Sequence, residues 1–169
     1  VMIAVMAMTP VHILGAGHSD ADTLRIVGLV ISVHVVGMYA LSPVTGWLAD
    51  RYGRRAVILG GVAVLLVACG VAGTAGTEPV QLTIGLFLLG LGWSGTMVAG
   101  STLLSESVPR WLRPSAQGLA DLVIGLAGAA AGSVAGLVLS WSGYPVLNLL
   151  AAIATVPLVA LALRPMREK

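Results

Sequence analysis

The sequence predicts an all-α membrane protein, a single bundle of six transmembrane helices over residues 1–169. Three observations lead to that class. Of the 169 residues, 57% are hydrophobic and only 9% are charged, and the mean hydropathy is +0.98, a balance for which a bilayer rather than water is the natural solvent. The apolar residues gather into runs close to the ~20 residues that a helix needs to cross the hydrocarbon core. Eight of the nine Lys and Arg residues lie in every second connection between those runs, the asymmetry that distinguishes cytoplasmic from outer loops.

Taken in order, the runs place spans at Val1 to Leu14, Leu24 to Ala49, Ala56 to Thr74, Val80 to Leu104, Ala116 to Ser140 and Pro145 to Leu163. Fourteen residues rise only about 21 Å as a helix, so the first span is short and the natural chain is expected to continue upstream. Pro10, Pro43 and Pro157 lie inside spans, where they kink or end a helix. The fourth and fifth spans are studded with glycine, and Gly128, Gly132 and Gly136, four residues apart, predict a face on which another helix packs closely.

The second connection holds Arg51, Arg54 and Arg55, the fourth Arg110 and Arg113, and the tail Arg164, Arg167 and Lys169. Arg25 alone lies opposite, beside Asp20 and Asp22, with Glu78 in the third connection. The charge pattern therefore expects a multi-pass membrane protein with both ends of this chain cytoplasmic. The net charge of +2 belongs to topology and is no nucleic-acid footprint. Membrane lipid is the expected partner. With one cysteine, Cys69, there is neither a disulfide framework nor a cysteine-based zinc site, and the chain has no phosphate-binding Gly-x-x-x-x-Gly-Lys loop. An enzyme is not expected, nor any resident cofactor.

Between the second and third spans stands Gly46-Trp47-Leu48-Ala49-Asp50-Arg51-Tyr52-Gly53-Arg54-Arg55. Gly46 is expected to let helices approach, Asp50 to lie near a helix N-terminus, and the arginines to anchor to headgroups or bridge helices. This segment resembles the signature gating loop of the major facilitator superfamily, with Gly46, Asp50, Arg51, Gly53, Arg54 and Arg55 on the pattern. The resemblance implies half of a twelve-helix fold that works by alternating access. Because the chain stops in a short basic tail and begins abruptly, it is read as spans seven to twelve, with the N-terminal six-helix half absent. The connection Glu106 to Gly118 also resembles the loop before the eleventh helix, with Pro114 starting that helix. Asp121 then falls about two turns into the membrane. It is either a proton or gating site, or a structural partner for Arg110 or Arg113.

The candidate site centres on His34, since a histidine within a span usually faces the bundle interior. His34 and Met38 stand four apart, as do Met2 and Met6. Counted from the outer ends at about 1.5 Å per residue, Met6 and His34 lie about 14 Å deep and Met2 and Met38 about 20 Å. Thioether and imidazole suit a soft cation such as Cu(I). The paired motifs resemble those of the CcoA-like copper importers, and by that resemblance Met2, Met6, His34 and Met38 bind copper as cargo moving inward. The opposing reading makes His34 a structural histidine and the methionines core filler. Met8 and His12 form a further pair near the outer surface and His18 lies in the outer loop; these either hand metal inward or leave His12 at the interface. Met97 and Cys69 are read as packing. The competing functions are a proton-coupled small-molecule or multidrug exporter working through Asp121, and a membrane assembly subunit that transports nothing.

Overall fold

The computed structural model describes residues 1–15 and 20–163, and these are helical almost throughout. In order come α1 (Met2–Leu14), α2 (Asp20–Tyr39), α3 (Ser42–Tyr52), α4 (Arg54–Gly73), α5 (Pro79–Ser107), a 3-10 turn (Arg110–Leu112), α6 (Arg113–Ile153) and α7 (Val156–Leu163). Residues 21–52, 54–73, 79–107 and 110–160 form four stretches long and apolar enough to cross a bilayer, and Met2–Leu14 is a shorter apolar helix.

The expected six spans are thus not six separate helices, and the departures have local causes. In the second span α2 gives way to α3 at Ala40 and Leu41. Pro43 has no N–H to offer the Tyr39 carbonyl four residues back. The Ser42 hydroxyl donates to that carbonyl instead, at 2.7 Å. The expected fifth and sixth spans run on as the single helix α6, interrupted only at Gly143, whose φ of 79° and ψ of 175° are not helical. Left straight, the 51 residues of 110–160 would extend roughly 77 Å, well over a bilayer's width. The chain folds back instead, and Ala131, Ala135 and Val138 share a cavity with Ala154, Ala151 and Leu147, so the two limbs of α6 lie side by side. A second interruption, at Ala154 and Thr155, precedes Pro157 and opens α7. Pro10 stays inside a continuous α1, and Pro114 stands in the first turn of α6 as expected.

The core gathers around α5, which buries Leu82, Gly85, Leu86, Leu89, Gly90, Gly92, Ser94, Gly95 and Ala99. Two neighbours rest on its glycines at backbone distance. A Cβ on Gly90 would collide with the His34 carbonyl oxygen of α2. On the side facing α4, a Cβ on Gly92 would come within 2.8 Å of the Gly61 carbonyl, and one on Gly61 within 2.9 Å of the Gly92 carbonyl. Such contacts let helices gain dispersion energy where lipid removes any hydrophobic drive between them. The expected packing face on α6 is only partly realised. Gly128 is covered by the Ile3 side chain, but Gly132 and Gly136 have no neighbouring atom within 4 Å, and neither has Gly46.

Alanine at Gly90 or Gly92 is expected to destabilise the intact protein by about 1–3 kcal/mol, the cost of overpacking a filled contact. Gly60→Ala, where a Cβ meets nothing within 4 Å, should be neutral or gain up to about 1 kcal/mol from helix propensity. Thermal unfolding in detergent measures both, and equal losses at all three positions would rule out helix contact as the cause.

Candidate transport site and gating loop

The two ends of the bundle are fastened by different chemistry. At one end Gly53, with φ 90° and ψ 150°, turns the chain between α3 and α4 in a conformation that side chains with a Cβ rarely adopt. Arg54 follows as the first residue of α4 and reaches in three directions. It pairs with Asp50 at 2.9 Å and with Glu106 at 2.8 Å, and it donates to the Ala49 carbonyl at 2.8 Å. Asp50 therefore does lie beside a helix N-terminus, and the loop is tied across the bundle to the last turn of α5. Arg51 lies over the rings of Trp47 and Tyr52, at 5.5 and 5.9 Å from their centroids. Arg55 is half-buried beside Arg54.

At the opposite end the fastening is made of hydrogen bonds and a ring stack. His12 Nε2 bonds to the Gly76 carbonyl at 2.6 Å, and since a carbonyl only accepts, Nε2 carries the hydrogen. The His12 ring stacks on Tyr144, centroids 4.3 Å apart and 7° from parallel. Thr9 gives its hydroxyl hydrogen to the Val5 carbonyl at 2.8 Å, so in the 2.7 Å contact between Thr9 and Tyr144 the phenol donates. These bonds join α1, the α4–α5 turn and the second limb of α6. His12 is thus a tie between elements. His18 and the basic tail Arg164, Arg167 and Lys169 lie outside the described residues.

Between the ends, His34 is fully buried, and its Nδ1 donates to the Leu86 carbonyl of α5 at 2.7 Å. Its Nε2 is therefore a lone-pair acceptor, and it has no partner among the described residues. Gly90 makes this possible, since only a glycine admits the α2 backbone close enough for the ring to reach one turn back along α5. Met38 is buried on the same face of α2, its Cγ close to Gly90. Met2 and Met6, on α1, are both partly buried against the core, and Met2 lines a cavity of about 220 Å³ with Ile3, Trp93, Ile124 and Gly128. Among the described residues no three His, Cys, Asp or Glu side chains cluster as a metal site. Asp121 is exposed on the first limb of α6 and forms no ion pair with Arg110 or Arg113.

Three participants are not singled out by the sequence pattern. Glu106 is visible there as the lone carboxylate at the end of the fourth span, on the side of the arginine loop. Tyr144 and Trp93 carry no spacing signal, because their partners Thr9 and Tyr39 are remote in sequence.

A helical, multi-pass membrane protein with an ion-paired basic turn between two of its helices is the class that these features define. Residues 1–169 match the Major Facilitator Superfamily, and the chain belongs to that family. It is 38% identical over 173 residues to the uncharacterised MFS-type transporter YddS of Bacillus subtilis (strain 168), covering 100% of this chain and 39% of that protein. It is 41% identical over 160 residues to YdeG, another uncharacterised MFS-type transporter of the same organism, covering 94% of this chain and 36% of that one. The riboflavin transporter RfnT of Brucella anthropi is 30% identical over 165 residues, covering 98% of this chain and 39% of its own length. The chain spans about two fifths of the length of these curated relatives. No solved structure matches it.

Reversing either charge of the Arg54–Glu106 pair is expected to lower transport by the intact protein about tenfold, within the usual range of a coupling contact, and exchanging the two charges should recover part of it. Initial uptake rates at equal membrane abundance test this, and a full rate in Glu106→Arg alone would remove the pair from the gate. Tyr144→Phe, which leaves Thr9 with its own donor bond intact, should cost only about 0.5–1.5 kcal/mol in thermal unfolding.

Proposed function

We propose that the chain is the C-terminal six-helix half of a twelve-helix secondary active transporter of the bacterial inner membrane, and that the intact protein moves a small organic solute by alternating access. The observation that carries this reading is the Asp50–Arg54–Glu106 cluster, which closes the family's signature turn onto the end of α5. An ion-paired latch at one end and a hydrogen-bonded tie at the other suit a bundle whose ends open in turn around a central site. With the basic loops cytoplasmic, the Arg54 end faces inward, and the His12 end faces out. Six crossings follow if α6 turns back at Gly143. Membrane lipid and the other six helices are its partners, no cofactor is needed, and Asp121 is retained as a proton or gating site. A relative named as a riboflavin transporter favours an organic solute.

Copper import is the second reading, favoured by one observation. A buried imidazole with Nδ1–H held by a carbonyl and Nε2 free is in the state a metal-ligating histidine adopts. In that reading Met38, Met2 and Met6 complete the soft ligand set.

Uptake into cells that make the intact protein separates the two. With riboflavin and radioactive copper offered in parallel, riboflavin should enter and copper should not. Copper entry that is abolished by both His34→Ala and Met38→Ala would reverse the order, and entry of neither solute would remove both readings.

A further inference from the structure

We infer that Trp93 and Tyr39 form a stacking subsite for a flat aromatic substrate at mid-membrane, an inference that rests on the transport of an organic solute proposed above. Trp93 stands fourteen residues from either end of α5, about 21 Å along the helix from each. It is half-buried and lines the 220 Å³ cavity with Met2, Ile3, Ile124 and Gly128. The Tyr39 ring meets it edge to face, centroids 6.2 Å apart and planes at 72°, while 59% of Tyr39 remains exposed.

This is the wrong depth for the usual work of these residues. Trp and Tyr gather at the two membrane interfaces, where their polar tips reach water. Here neither the Trp93 indole N–H nor the Tyr39 hydroxyl has a hydrogen-bond partner among the described residues. At mid-membrane such donors are costly unless something polar meets them. A flat substrate ring can stack on the face of one of them and meet the edge of the other, and its polar substituents can accept from the indole N–H and the phenol O–H.

The backbone fixes the pair in place. Tyr39 is the last residue of α2, at the break that Pro43 imposes and Ser42 caps. Interrupted helices near the midplane are where transporters commonly build their sites. On the opposite wall the lack of a side chain at Gly128 lets Ile3 of α1 lie against α6, which shapes the cavity floor. At about 220 Å³ the cavity falls below the roughly 300–1,000 Å³ of complete ligand sites, as befits one wall of a site that the rest of the transporter closes. The Met2 thioether adds a soft contact suited to an aromatic edge.

The test uses the intact transporter in lipid nanodiscs and three probes: riboflavin, 4-hydroxybenzoate and its saturated ring analogue, 4-hydroxycyclohexanecarboxylate. The parent should bind the flat probes and quench flavin fluorescence on stacking, and should bind the saturated analogue more weakly. Trp93→Leu and Tyr39→Leu are each expected to weaken flat-probe binding about tenfold, with Trp93→Phe recovering most of it. If Trp93→Leu fails to fold, Tyr39→Leu and Trp93→Phe carry the comparison. The inference is overturned if the parent does not prefer the flat ring over the saturated one, or if both Leu variants bind as the parent does. Continued uptake of a saturated solute in that case would leave the transport reading standing, whereas no uptake of any organic solute would end both.

Discussion

The rest of the structure depends on how closely α2 and α4 come to α5. Helices in lipid gain almost nothing from hiding apolar surface, because the acyl chains they leave are as apolar as the side chains they meet. Association then rests on dispersion at short range, which falls off steeply with any added gap. Gly90 and Gly92 remove the side chain at the two contact lines, and Gly61 does so from the α4 side. With backbones touching, a ring on α2 can bond a carbonyl on α5, as His34 does with Leu86. The same approach brings Tyr39 against Trp93 and sets Arg54 opposite Glu106.

Polar groups are few, and their placement divides the molecule by function. Charged partners occur where the basic loop emerges, a position that tolerates ions because water and headgroups are near. Hydrogen bonds and ring stacking serve the other end, where Thr9, His12, Tyr144 and the Gly76 carbonyl interlock. In the interior the Nε2 of His34, the hydroxyl of Ser94 and the Oδ1 of Asn148 are buried without partners among the described residues. Unpaired polar atoms in such a setting are expensive and are found where a protein has work for them. The Nε2 of His34, opposite an Nδ1–H given to Leu86, and the Oδ1 of Asn148, opposite an Nδ2–H given to Tyr144, are both acceptors.

The helix interruptions divide the long apolar stretches into shorter helical segments. Pro43 breaks the second span near Tyr39, Gly143 reverses α6, and Thr155 precedes the last helix. Each frees a few backbone groups and meets the need locally, the Ser42 hydroxyl at Tyr39 being the clearest case. Rigid segments joined at such points can rock without unwinding.

By itself the sequence determined the membrane class, the succession of apolar helices, the basic turn from Asp50 to Arg55, and the breaks near Pro43 and Pro157. These follow from composition, proline chemistry and the order of charges, all of which act within a few residues. Only the tertiary structure decided which glycines bear contacts: the regular series on α6 reads as a packing face, yet of it only Gly128 is covered, while Gly37 and Gly90 bring α2 and α5 together and Gly61 and Gly92 bring α4 and α5 together. The periodicity of one helix does not reveal where its neighbour lies. Tertiary structure likewise brought Glu106 to Arg54, Tyr144 to Thr9 and Tyr39 to Trp93, and it anchored His34 and Met38 against α5. Depth along a span can be counted from sequence, because a helix rises uniformly. Azimuth cannot, because it is set by what each face meets across the bundle.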